Sequence, residues 1–311
     1  MQNGLPSTLI EMITYFADKK ACVEFVKNIR WADGKVACPK CGSLKVKELA
    51  TRQIWQCGEK GCRKQFSIKV GTIFEDSAIP LSKWLTAMWL VSTCRNGVSS
   101  YDIARSIGIT QKSAWHLLHR VRESMRRGTI TKLVGEVEVD ESYIGGLEKN
   151  RHASQVKRYH AGGAGKTMVF GAVERGGRVT AKVVDSRSAR SLQGSVLDTV
   201  EKGAKLYSDE ATQYKALGKV YEHEFVNHSQ GEYVKGNAHT NSVESFWALL
   251  KRGLKGTYIH VAPFHLDRYI DEQALRFDLR KGSEMNRLQT VTSQSIGRRL
   301  TWNELTGKAA A

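Results

Sequence analysis

Three carboxylates stand apart in a strongly basic chain. Asp140 falls in Glu138-Val-Asp140-Glu141, where Val137 and Val139 alternate with acids, so Glu138 and Asp140 share one face of a strand. Asp209 closes a second strand-like run, Lys205-Leu-Tyr-Ser-Asp209, and Glu244 sits early in a helical run, Asn241-Ser-Val-Glu244-Ser-Phe-Trp247. Acids on a strand, at a strand end and on a helix converge only if sheet and helix pack against one another. Once converged, they can hold two Mg²⁺ or Mn²⁺ ions ~3.5–4 Å apart and support in-line phosphoryl transfer. Asn241 lies three residues before Glu244 and Lys251 seven after it, all on one helical face. Lys251, followed by Arg252, is placed to hold a phosphate beside those acids.

A second constellation is built from sulfur. Cys38-Pro-Lys-Cys41 and Cys57-(four residues)-Cys62 form two close pairs separated by 15 residues. Two such pairs on tight turns can set four thiolates tetrahedrally around Zn²⁺, and Gly42, Gly58 and Gly61 suit those turns. With all four ligands supplied by protein, no position stays open for substrate, so this zinc reads as structural. Lys40, Lys45, Lys47, Arg52, Lys60, Arg63, Lys64 and Lys69 make the module basic, which suits contact with phosphate. Cys22 and Cys94 stand alone on helical runs and read as core residues.

These groups need elements to carry them. Residues 7–30 read as helical, with Asp18 capping a run whose apolar positions are Ala21, Cys22, Phe25, Val26 and Ile29. Residues 36–74 are too few to build a core without the metal. From Leu81 to Arg127 helical spacing returns in three pieces. Ser82 is placed to cap the first, Ser99 or Ser100 the second, and Thr110 the third, with a turn at Gly108. This is a helix-turn-helix pattern. Its third helix presents Gln111, Lys112, Ser113 and His116 toward base edges in a major groove, with Arg120, Arg122, Arg126 and Arg127 for phosphates. From Leu133 the texture becomes mixed α/β, in the order β-β-β-α-β-α-β-α. The expected domains are an N-terminal helical segment (1–35), a zinc ribbon (36–74), a helix-turn-helix domain (75–130), a mixed-sheet catalytic domain (131–282) and a basic tail (283–311). The tail is too weakly periodic to read as folded. Residues 149–166 carry Lys149, Arg151, Lys157, Arg158 and Lys166 with no acid, and read as a mobile basic loop gripping nucleic acid.

Charge narrows the function classes. The chain has 311 residues, with 48 Lys and Arg against 31 Asp and Glu, a formal net charge of +17. Such an excess disfavours a generic metabolic enzyme and favours a polyanionic partner. A membrane fits poorly, because the strongest apolar stretch, Trp84–Val91, is far shorter than the ~20 residues a spanning helix needs. Met1–Met12 lacks a basic segment followed by an apolar one, so no signal peptide is expected. A reducing cytosol is the expected compartment, which favours metal over disulfides for the clustered cysteines.

The motifs also resemble those of IS1595-type insertion-sequence transposases with an ISXO2-like catalytic domain. The likeness runs through Arg30-Trp31-Ala-Asp-Gly34 before Cys38-Pro-Lys-Cys41-Gly42, then Phe66-Ser-Ile-Lys-Val-Gly71-Thr-Ile-Phe74. It continues in Val139-Asp-Glu-Ser-Tyr-Ile-Gly-Gly146, Tyr207-Ser-Asp209, His239-Thr-Asn-Ser-Val-Glu244-Ser-Phe-Trp247 and Leu250-Lys-Arg-Gly253. It covers roughly residues 7–280. The resemblance implies a zinc ribbon, a helix-turn-helix and an RNase H-like domain with DDE-type chemistry, in which Asp140 and Asp209 are the two aspartates. The third member is open between Glu244 and Asn241. Glu244 is favoured, since it stands 35 positions after Asp209 with Lys251 seven further on. The implied partners are the terminal inverted repeats of an element and target DNA, with a homodimer or larger synaptic assembly on the bacterial nucleoid. Two other functions stay open: a DNA-binding regulator without chemistry, and an RNase H-like nuclease that cleaves without joining.

Overall fold

A computed structural model describes residues 5–128, 131–145, 165–209, 212–226 and 239–308. The chain divides into two compact units. One is Arg127–Arg280; the other joins the first 126 residues to everything from Lys281 onward.

The central unit is built on a five-stranded sheet. In chain order its strands are β4 (Glu136–Ile144), β5 (Thr167–Glu174), β6 (Val179–Val184), β7 (Lys205–Asp209) and β8 (Glu222–Val226); in space they lie β6-β5-β4-β7-β8. β4, β5 and β6 pair antiparallel, whereas β7 runs parallel to β4 and β8 parallel to β7. Helix α6 (Ala189–Thr199) makes the crossover from β6 to β7, and α7 (Asn241–Gly253) and α8 (Leu266–Asp278) follow β8. The expected α/β class and mixed sheet are present. Two elements differ from the expected order: the piece between β7 and β8 is a 3-10 run, Thr212–Lys219, not an α-helix, and two helices rather than one follow β8.

Both faces of this sheet are covered. Val137, Val139, Phe170, Ala172 and Leu206 pack with Leu192 and Val196 of α6 and Tyr214 and Leu217 of the 3-10 run. On the opposite face Val169, Val173 and Val179 meet Val243, Phe246, Trp247 and Leu250 of α7 and Ile270 and Phe277 of α8. The alternation along β4 therefore sends its valines toward α6 and sends Glu138 and Asp140 toward α7. A strand alternating apolar and acidic residues would ordinarily wet its acidic face. Here α7 lies over it.

The other unit begins with α1 (Leu9–Tyr15) and α2 (Lys19–Arg30), the latter capped by Asp18 as expected. A three-stranded antiparallel ribbon follows, β1 (Val46–Leu49), β2 (Ile54–Cys57) and β3 (Gln65–Ser67). Arg30 of α2 holds it by donating to the carbonyls of Ile68 and Val70 at 3.0 and 2.7 Å, and Trp31 packs edge-on against Trp55 of β2. Then come α3 (Leu81–Thr93), α4 (Ser100–Ile107) and α5 (Gln111–Met125). Ser99 caps α4, Gly108 ends it in the left-handed conformation at φ 62°, and Thr110 caps α5. The cap of α3 differs from expectation: Pro80 occupies it and Ser82 lies inside the helix. Cys22 is buried, its thiol donating to the Phe16 carbonyl, while Cys94 is only partly covered.

Residues beyond 283 correct the expectation of an unfolded tail. They form α9 (Glu284–Ser293), capped by Ser283, and α10 (Trp302–Thr306), capped by Thr301. Met285, Leu288 and Val291 of α9 are buried at helical spacing. Between the helices the chain is stitched to the segment after the ribbon: Ile73 N–H donates to Ser295 O and Gly297 N–H to Gly71 O. Three apolar residues in ten are a faint signal in a sequence, but they complete a core already formed by residues 200 positions earlier. Leu288→Ala should therefore cost about 2–5 kcal/mol, as for other fully buried leucines, read as a lower urea midpoint. An unfolded tail would show no change.

Candidate active site and zinc ribbon

Glu138 determines how the acidic face is assembled. Its side chain is fully buried on β4 and accepts from Ser242 N–H at 2.7 Å, Ser242 Oγ at 3.1 Å and Val243 N–H at 3.1 Å. Those backbone groups belong to the first turn of α7, where N–H groups lack partners within the helix and the helix dipole is positive. Thr240, at the cap position, supplies no side-chain cap; Glu138 does so from the sheet. Arg175 donates to Glu138 at 2.9 Å, to Glu136 at 3.1 Å and to the His239 carbonyl at 3.0 Å, and its guanidinium lies 3.8 Å from the Tyr207 ring centroid. His239 Nδ1 is 3.3 Å from Glu138 Oε1, without hydrogen-bond geometry.

With α7 fixed this way, the sequence-selected acids share one side of the sheet. The parallel pairing of β4 with β7 ends at Glu138↔Tyr207. Two residues further along each strand come Asp140 and Asp209, on the same face. Trp247 of α7 donates its indole N–H to Asp140 Oδ2 at 3.0 Å. The indole fits because Gly171, opposite Asp140 on β5, has no side chain: a Cβ there would stand 2.6 Å from the ring. Glu244 lies one turn before Trp247 and is braced by Thr240, whose hydroxyl donates to it at 2.9 Å. Asn241 is exposed at the start of α7, and Lys251 and Arg252 are in its last turn.

The acids also act on one another electrostatically. Burial pushes the Asp140 carboxyl up to about 6; the charges of Asp209 and, more weakly, Glu244 push the same way, while the Glu141 N–H and Trp247 oppose them. Glu141 is an acid whose role the sequence left unread. It accepts from the Tyr214 hydroxyl, and burial, helped by Asp140 and Asp209, pushes it up to about 7. Carboxylates brought to one region by neighbouring strands and a helix suit a hard divalent cation with oxygen ligands. The acids remain spread: among the described residues, only the four cysteines bring three or more ligand atoms within 4.8 Å of one another.

At the ribbon, Cys38 Sγ lies 3.8 Å from Cys62 Sγ and Cys41 Sγ 3.6 Å from Cys57 Sγ. Tetrahedral ligation with Zn–S near 2.3 Å places sulfurs ~3.8 Å apart, so the four thiols fit zinc. Gly42 takes φ +73° in the first knuckle, where its N–H donates to Cys38 O.

The helix-turn-helix residues divide. Lys112 is exposed, with its ammonium 5.1 Å from the Trp302 ring centroid, and Ser113 joins the Thr110 cap. Gln111 donates to Ser100 Oγ, tying α5 to α4. Three assignments need correction. Arg120 is buried, donates to the Glu75 carbonyl and lies over Trp84, so it braces the fold and faces no phosphate. His116 is half-buried with its ring against Trp302. Arg122 is also buried. Helical spacing alone cannot distinguish a cation turned inward from one turned outward. Lys157 and Arg158 lie outside the described residues.

Residues 132–278 match the ISXO2-like transposase domain, and residues 17–65 match the transposase zinc-ribbon domain. Two segments of the chain are thus similar to domains of IS1595-type transposases. A protein of Halobacterium salinarum, described as an uncharacterized protein in transposable element ISH50, is 26% identical over 299 residues, spanning 91% of this chain and 99% of the relative. The mixed sheet thus falls in the transposase domain, and the cysteine quartet in the zinc-ribbon segment.

Two outcomes follow from the acidic face. A carboxyl near 6 when folded and ~3.9 when unfolded binds its proton more tightly in the folded state. Its stabilising effect is full below about pH 4 and is lost as pH rises through about 6. Asp140→Asn, without added metal, should therefore exceed the parent in stability at pH 8 by about 2–3 kcal/mol and match it near pH 4. Glu141 keeps part of the pH slope in that variant. Glu138→Gln should behave oppositely. Loss of the buried charge leaves Arg175 and the α7 terminus under-compensated and should cost about 3 kcal/mol or more in urea unfolding at neutral pH.

Proposed function

We propose that this protein is the DNA transposase of an insertion sequence, binding the element's ends and catalysing strand cleavage and strand transfer with Mg²⁺ or Mn²⁺. One observation carries this reading: within the segment that matches the transposase domain, Asp140 on β4, Asp209 at the end of β7 and Glu244 in the first turn of α7 stand on the side of the sheet that α7 covers. Asp140 and Asp209 are the two aspartate ligands, and Glu244 is preferred to Asn241 as the third because a carboxylate is the better ligand for a hard divalent cation and Thr240 braces it. The divalent ions supply activation of the attacking oxygen and stabilisation of the leaving one.

The chain's own residues do the rest. Trp247 orients the Asp140 carboxylate. Thr240 orients Glu244. Lys251, seven residues beyond Glu244 and so about 10 Å along the helix, holds a backbone phosphate, with Arg252 beside it. Gln111, Lys112 and Ser113 at the start of α5 are the positions proposed to meet base edges. The basic segment containing Lys157 and Arg158 is proposed to grip DNA. Two element ends require two such sites, which favours a homodimer or larger synaptic complex working on the nucleoid in the cytoplasm. Among the described residues no helix is long and apolar enough to cross a membrane.

The test is a strand-transfer assay with purified protein, labelled element-end DNA, a plasmid target and Mg²⁺ or Mn²⁺. Joined product should depend on metal and disappear in Asp209→Ala and Glu244→Ala. Asn241→Ala should retain product if Glu244 is the third ligand. Cleavage without joining would favour a nuclease, and tight end binding without chemistry a regulator.

A further inference from the structure

The chain after α7 turns outward in an unusual way. Leu254–Tyr258 forms a π-helical turn, a feature that often marks functional sites. Next, His260 N–H donates to Tyr258 O at 2.6 Å, closing a three-residue turn around Ile259. Ile259 has φ 63° and ψ −57°, the rare and strained form of that turn. A β-branched residue at positive φ is an outlier, and such strain persists only where the surroundings impose it.

The surroundings do impose it. The Tyr258 hydroxyl donates to Glu272 of α8, its ring packs edge-on against Tyr269 at 4.7 Å, and Tyr258 and Val261 both pack against the α7–α8 core. Both flanks are therefore held inward and the residue between them is forced out. Ile259 is 82% exposed, and Phe264 five residues later is 64% exposed. Burying either would be favourable, yet within the chain neither is buried. From residue 245 to 266 the chain carries Lys251, Arg252, Lys255 and two histidines, and no acid. That charge calls for a polyanion, and the apolar tips call for an apolar surface within it. Stacked bases behind phosphates offer both.

We propose that Ile259 and Phe264 form an apolar wedge that enters duplex DNA and unstacks a base step while the flanking cations hold the phosphates. Insertion of apolar side chains between base steps is a general way in which proteins open or bend a duplex. Pyrimidine–purine steps are the most easily unstacked. The proposal rests on the transposase reading only in taking DNA as the partner. It gives the strained turn the task of distorting the duplex that the acidic face then processes.

The experiment uses the full-length protein and short duplexes carrying 2-aminopurine at a pyrimidine–purine step of the element end. The parent should raise 2-aminopurine fluorescence several-fold on saturating binding. Ile259→Gly/Phe264→Ala should abolish most of that rise while duplex affinity, read by anisotropy, changes little. Glycine at 259 relieves the strain, so this variant folds, which a thermal melt checks. Binding without a fluorescence rise in the parent, or a full rise in the variant, overturns the wedge alone. Absence of any duplex binding overturns both the wedge and the DNA reading. Loss of self-association or of binding to anionic vesicles in the variant, with the fluorescence rise unchanged, assigns the tips to a second copy or a lipid surface and also overturns it.

Discussion

The candidate site depends on one buried carboxylate. Glu138 receives the first-turn N–H groups of α7 on the face of a central strand, and Arg175 balances its charge. A helix N-terminus leaves donors without partners, and a carboxylate is their strongest available acceptor. Replacing a side-chain cap from the loop by an acid from the sheet fixes the start of α7 against β4 itself. Everything that α7 carries toward the acidic face, first Glu244 and then Trp247, is positioned from that anchor.

The same strand separates packing from chemistry. Val137 and Val139 enter the core beneath α6, and two residues of the opposite parity face α7. Glu138 is neutralised by hydrogen bonds and a cation, so its burial holds the fold together. Asp140 is covered by α7 but faces other acids, so its burial raises its proton affinity. Two acids separated by a single valine therefore have different physical roles, and the difference lies in what opposes each. Gly171 lets the indole come close enough to reach Asp140, which makes the absence of a side chain on β5 part of the site.

The N- and C-terminal segments form a unit whose parts are too small to stand alone. The ribbon has three short strands, and zinc together with Arg30 and the Trp31–Trp55 contact supplies what its core lacks. Three helices follow it, and α9 returns from the far end of the chain to cover them. Arg120 and Arg122 are enclosed, and Trp302 lies against His116 and near Lys112.

Local chemistry was legible without the fold. Four cysteines at zinc spacing, the Asp18, Ser99 and Thr110 caps and the Gly108 stop are each defined by residue type and near neighbours, so sequence order suffices to find them. What required tertiary structure was the direction in which charged groups point and what opposes them. Glu138 and Asp140 look alike in sequence, as do Arg120 and Lys112, because helix and strand periodicity assigns a face but does not say what will cover it. The covering elements, α7 over β4 and α9 and α10 beside α5, come from distant parts of the chain. Their docking is decided by long-range burial and by pairing of buried charge, which only the assembled fold supplies.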